Sequence, residues 1–77
     1  MKISIEYCTQ WGYLNKALSL RESIEKQYGV TAELIQGTGG VFEVSFNNSL
    51  LFSKKELGRF PNEKEVENIL DDYEWIT

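Results

Sequence analysis

Hydrophobic and polar residues alternate at the start of the chain, with Ile3, Ile5 and Tyr7 set against Lys2, Ser4 and Glu6. A period of two is that of a strand covered on one face only. The period then changes. Tyr13, Ala17, Leu20, Ile24 and Tyr28 recur every three or four residues, Leu14 and Leu18 widen the stripe, and Asn15, Lys16, Ser19, Glu22, Glu25 and Lys26 fill the other side. This spacing predicts an amphipathic helix of about four turns, with Gly29 as its C-cap.

Residues 31–36 are short and extended in pattern, Ala32 and Leu34 facing one way and Thr31 and Glu33 the other. A strand–helix–strand run of this length predicts a right-handed crossover between parallel neighbours. Residues 37–40, Gly-Thr-Gly-Gly, break the pattern as a loop. Phe42, Val44 and Phe46 then alternate with Val41, Glu43 and Ser45, and Asn47-Asn48-Ser49 tolerates left-handed backbone before residues 50–53 resume an extended run. The pair reads as a hairpin. Residues 54–60 read as a polar loop closed by Pro61, in which Lys54 and Lys55 form a charged end to an edge strand. Asn62 and Glu65 have capping-box spacing. Val66, Ile69, Leu70 and Tyr73 make a second helical stripe, backed by Glu63, Glu65, Glu67, Asp71 and Asp72, and Trp75 and Ile76 are expected to fold back as an apolar anchor.

The order is therefore β-α-β-β-β-α, an α/β (α+β) two-layer sandwich with a four-stranded mixed sheet. Each well-patterned strand has one apolar and one polar face, unlike a sheet covered on both sides. Both helices are thus expected on one face, with Lys2, Ser4, Glu6, Thr31, Glu33, Glu43 and Ser45 on the open one. At 77 residues this is a single domain of modest stability. Its apolar content of 42% argues against disorder. One cysteine and no histidine leave no internal disulfide and no Cys/His zinc cluster. A net charge of −4 gives no general attraction to nucleic acid. No apolar run has the length of a membrane helix, and the acid at Glu6 is unlike a signal peptide, so a cytoplasmic, reducing location is the expectation.

Chemistry concentrates at residues 7–13, Tyr-Cys-Thr-Gln-Trp-Gly-Tyr, where strand gives way to helix. Unpaired N–H groups and the positive end of a helix dipole favour a thiolate at such a place. On the residues alone two readings are open for Cys8: a small buried hydrophobe, as a lone cysteine more often is, or a nucleophile. Two readings are open for Trp11: packing over its neighbours, the sulfur included, or a contact surface that seats a partner. The glycine loop lacks the lysine and spacing of a P-loop, and a strand follows it, so it is not read as binding phosphate. The scattered carboxylates are read as solvated surface.

Three blocks resemble the selenoprotein W-like (Rdx) family of thioredoxin-like proteins. Residues 7–13 are similar to its Tyr-Cys-x-x-(Cys or Sec)-Gly-Tyr turn, with Trp11 in place of the second Cys or Sec. Residues 40–44 are similar to its Gly-x-Phe-Glu-Val strand, and residues 50–55 with 58–61 to its second hairpin strand and Gly-x-Phe-Pro helix entry. The resemblance implies a thioredoxin-like fold and thiol redox chemistry, with Cys8 as an accessible attacking thiol and the glycine loop running near it, its glycines allowing close backbone approach. Thr9, Gln10, Trp11, Gly12, Gly39 and Gly40 would then bind the substrate or partner. With Trp11 in place, no intramolecular disulfide forms, so the expected function is monothiol exchange, with glutathione or a client protein supplying the second thiol. No cofactor or metal is expected beyond glutathione as co-substrate, nor a nucleic-acid or membrane partner. The chain is expected to be a monomer or weak homodimer, an intermolecular disulfide through Cys8 being a further possibility. The rival reading is a non-catalytic binding module on the same scaffold.

Overall fold

The computed structural model describes residues 2–72. Its elements are β1 (Ile3–Cys8), α1 (Tyr13–Tyr28), β2 (Glu33–Gly37), β3 (Phe42–Phe46), β4 (Ser49–Ser53), α2 (Lys54–Leu57) and α3 (Glu65–Asp71). The sheet order is β2-β1-β3-β4. β1 runs parallel to β2 across the helical crossover and antiparallel to β3, which pairs antiparallel with β4. Asn47 and Asn48 take positive φ, 50° and 70°, the backbone that a tight hairpin turn matched to strand twist requires.

Alternation decides the layers. Ile3, Ile5 and Tyr7 of β1, Phe42, Val44 and Phe46 of β3 and Phe52 of β4 form one buried cluster with Ala17 and Ile24 of α1 and Val66 and Leu70 of α3. Alternate strand positions share a face, so both helices cover the same one. Ile5 and Val44 are register partners and both wholly buried. Removing such a side chain from water stabilises by roughly 1.5–3 kcal/mol. The opposite face is open and polar, and across it Lys2 pairs with Glu33 at 3.3 Å. Glu6 and Glu43 stand opposite one another there. Glu43 turns to the Ser53 hydroxyl, which donates to it at 2.6 Å.

Three expectations need correction. β2 starts at Glu33 rather than residue 31, because pairing with β1 begins at Ser4 and Glu33. The expected polar loop opens with a helical turn, α2, carried by Ser53, whose hydroxyl accepts the Glu56 N–H at 3.2 Å. Lys54 and Lys55 therefore belong to that turn, not to the end of a strand. α3 begins only at Glu65, since Lys64 is left-handed at φ 67°. Half of the anticipated capping box forms nonetheless: the Asn62 N–H donates to the Glu65 carboxylate at 2.8 Å. The second helical stripe is described only as far as Leu70; Tyr73, Trp75 and Ile76 lie outside the described residues.

Candidate functional site

Cys8 is the last residue of the central strand β1, and helix α1 begins only at Tyr13. On one side Cys8 is the register partner of Gly37 in β2; on the other its N–H donates to the Val41 carbonyl at 2.8 Å. Gly37 and Val41 begin and follow the loop that carries the chain from β2 to β3. Because β1 lies between those strands, the loop must cross the end of β1 beside Cys8. The thiol residue is consequently buried, at 3% exposure, which corrects the expectation of an accessible sulfur. Its N–H belongs to the sheet ladder and not to the first turn of the helix.

The glycines of the crossing fit that geometry. Gly39 and Gly40 take φ of 74° and 76°, where a side chain is strained. A Cβ on Gly40 would stand 3.4 Å from the Tyr13 hydroxyl oxygen, so the loop lies close to the start of α1. At Gly37 the constraint is space: a Cβ there would fall 2.7 Å from Val41 Cγ2 and 2.8 Å from Glu6 Oε2.

Trp11 is 98% exposed, which overturns the packing reading: the indole does not shield the sulfur. It sits in the turn between Thr9 and Gln10, both exposed, and Gly12, which enters the helix at φ 90°. The inner side of this region is filled instead by Tyr13, whose ring meets Phe60 edge-on at 4.9 Å. Phe60 in turn meets Phe42 at 5.4 Å. Lys16 places its ammonium 4.7 Å from the Phe60 ring centre, and Lys54 lies 5.7 Å and 5.5 Å from Tyr13 and Phe60. Such cation–aromatic contacts hold each amine at roughly 0.5–1 kcal/mol when exposed. Neither lysine has a carboxylate partner among the described residues. The residues expected at the site thus lie around the end of β1, but with the thiol covered and the tryptophan free.

The aromatic–lysine cluster escaped the sequence reading. Phe60 lies in a polar stretch and Tyr13 in a helical stripe, and only the Gly-x-Phe-Pro block marks Phe60. A groove of about 350 Å³ runs from this cluster between α1 and α3, lined neither by Cys8 nor by Trp11. Among the described residues, no group of three or more Cys, Asp or Glu side chains is placed to hold a metal ion, and no helix is long and apolar enough to cross a membrane.

The Rdx family model matches residues 2–72. Migration and invasion enhancer 1 of Bos taurus is 39% identical over 67 residues, which cover 86% of this chain and 58% of that protein. The chain thus spans a little over half the length of that curated relative. A crystal structure from Bordetella parapertussis superposes with a TM-score of 0.85 at 31% identity, covering 92% of this chain and 94% of the other. The crystal structure of a selenoprotein W-related protein from Vibrio cholerae does so with a TM-score of 0.85 at 26% identity, covering 92% of each. With its fold, its turn sequence and the family match in agreement, the chain belongs to the Rdx family, and its selenoprotein W-like kinship suggests a thioredoxin-like, redox-related role.

Proposed function

We propose that this chain acts chiefly as a thioredoxin-like binding module that docks a protein partner through Trp11 and its turn. The observation that carries this reading is the contrast within the turn: the thiol is buried, whereas the residue where the family has its second Cys or Sec is a fully exposed tryptophan. An exposed indole offers a large rigid contact area and is a frequent energetic centre of interfaces. Lys16 and Lys54 flank the same end of the molecule without carboxylate partners among the described residues. The partner is therefore a protein with an apolar pocket rimmed by acidic side chains. Affinity purification under reducing conditions tests this. The partner is retained by the parent and by Cys8→Ser and lost with Trp11→Ala; retention by Trp11→Ala overturns the reading.

A second reading is supported by the place of Cys8 beneath a short glycine-bearing loop. When that loop opens, the Cys8 thiolate attacks a disulfide such as oxidised glutathione. Its sulfur forms a new S–S bond, the old one breaks, and one thiol leaves; a second thiol from glutathione or another protein later restores Cys8. Mass spectrometry after exposure to oxidised glutathione tests it: a single adduct on the native parent, absent from Cys8→Ser, supports exchange. An adduct that forms only in denaturant removes this reading and leaves the first intact.

A further inference from the structure

The groove between α1 and α3 has a charge arrangement that shares only Lys16 with the proposed docking surface. Glu67 of α3 lines it and is only 4% exposed. Its carboxylate accepts one hydrogen bond, from the Ser23 hydroxyl at 2.5 Å, and no cation pairs with it among the described residues. A carboxylate taken out of water ordinarily collects an ion pair or several donors, because desolvating it is costly. Lys16 and Lys64 line the same groove together with the exposed Glu63, and neither lysine pairs with a carboxylate among the described residues. Between these charges the wall is apolar, formed by Leu20, Phe42 and Phe60.

We propose that this groove binds an α-amino-acid zwitterion, its ammonium on the Glu67 carboxylate, its carboxylate on Lys16 and Lys64, and its side chain against the Phe42–Phe60 wall. The buried carboxylate supplies the partner an ammonium needs, and Ser23 holds it in place. The lysines supply the opposite charge, and the groove separates the two. A single charge on the ligand would satisfy only one end. This chemistry has two sources, a free amino acid or the γ-glutamyl head of a glutathione-like peptide. The inference does not depend on Cys8 or Trp11.

Backbone amide shifts of the full chain in NMR titrations provide the test. The probes are L-leucine, its two halves isoamylamine and 4-methylpentanoate, and S-methylglutathione, which carries the γ-glutamyl head but has no free thiol. L-Leucine is expected to move the amides of Ser19, Ser23 and Phe60, and each half-molecule to bind at least about tenfold more weakly, as loss of one charge-assisted contact implies. Glu67→Gln, which retains an acceptor for Ser23, weakens L-leucine by a similar factor. Lys16→Gln, an exposed change on α1, does the same should Glu67→Gln fail to fold. Binding of S-methylglutathione without L-leucine supports the site and assigns the peptide source; the reverse assigns the free amino acid. The proposal is overturned if neither zwitterion moves these amides, if either half-molecule binds as well as L-leucine, or if every variant that folds binds like the parent.

Discussion

The backbone N–H of Cys8 donates to the carbonyl of Val41 at 2.8 Å, fastening the thiol residue to the far end of the loop that crosses over it. Gly37, at the near end, is its partner on the other side. Cys8 is therefore covered because it ends the central strand of the sheet, and Trp11 has no part in covering it. Access to the sulfur is expected to depend on the loop, whose residues can be altered without touching the core.

Gly37→Ala tests that dependence. The added Cβ meets Val41 Cγ2 and the Glu6 carboxylate below 3.0 Å. Glu6 is exposed and can swing away, so the unavoidable adjustment falls on Val41 and the loop. Overpacking of this kind costs about 1–3 kcal/mol. The urea midpoint should fall by a corresponding amount, and Cys8 should react faster with a thiol reagent in native buffer. Unchanged reactivity in a folded variant would mean that the loop does not control access.

Much of this arrangement was legible in the chain. The switch from Ile3-Ile5-Tyr7 to Tyr13-Ala17-Leu20 located β1 and α1, and paired asparagines marked the turn between β3 and β4, because these signals are local and repeat. Less regular backbone was harder to read. Ser53 and Glu56 do have the spacing of a helix start, yet α2 is a single turn with no apolar stripe to announce it. The burial of Cys8 depends on which strands flank β1, a long-range fact that no local pattern carries. Of the two readings open for Trp11, packing fails for the same reason: the inner side of its turn is taken by Tyr13 and Phe60, far apart in sequence and adjacent in the fold.

Tyr28 is where the two long helices are tied together. Its single O–H is shared between two acceptors, the Asp71 carboxylate and the Glu67 carbonyl, the latter at 2.9 Å. Burial, then the hydrogen bond and negative charge of Asp71, then the charge of Glu67, raise its pKa above the ordinary 10.0. A raised value means that the stabilisation is fully present below pH 10 and is lost as pH rises through the folded-state value. Ultraviolet titration should show one tyrosine ionising late, and that component should vanish in Tyr28→Phe. The same variant should lose about 1 kcal/mol of stability at neutral pH.

Glu65 sets the acid side. Its carboxylate accepts from Arg59 at 2.7 and 3.0 Å and from the Asn62 N–H, which lower its pKa from 4.5 to about 2. A lowered value means stability that is present above pH 4.5 and is lost as pH falls toward 2. The contact is partly exposed, so solvent screening keeps its contribution modest. The urea midpoint of the parent should decline across that window, and Glu65→Gln should show a shallower decline with a lower midpoint at neutral pH. Equal slopes would place the acid sensitivity elsewhere.

Trp11→Cys addresses the turn itself. Because the indole is almost wholly in solvent, its removal should change stability by no more than about 0.5 kcal/mol. The variant would carry thiols three positions apart, the spacing of the family's Cys-x-x-(Cys or Sec) turn. If Cys8 is reached by loop opening, the new thiol can resolve a mixed disulfide formed there, and the variant should reduce a disulfide substrate that the parent leaves intact. A folded Trp11→Cys protein with no such gain would show that the sulfur at the end of β1 is not poised for exchange. Docking through the exposed tryptophan would then stand as the functional use of this turn.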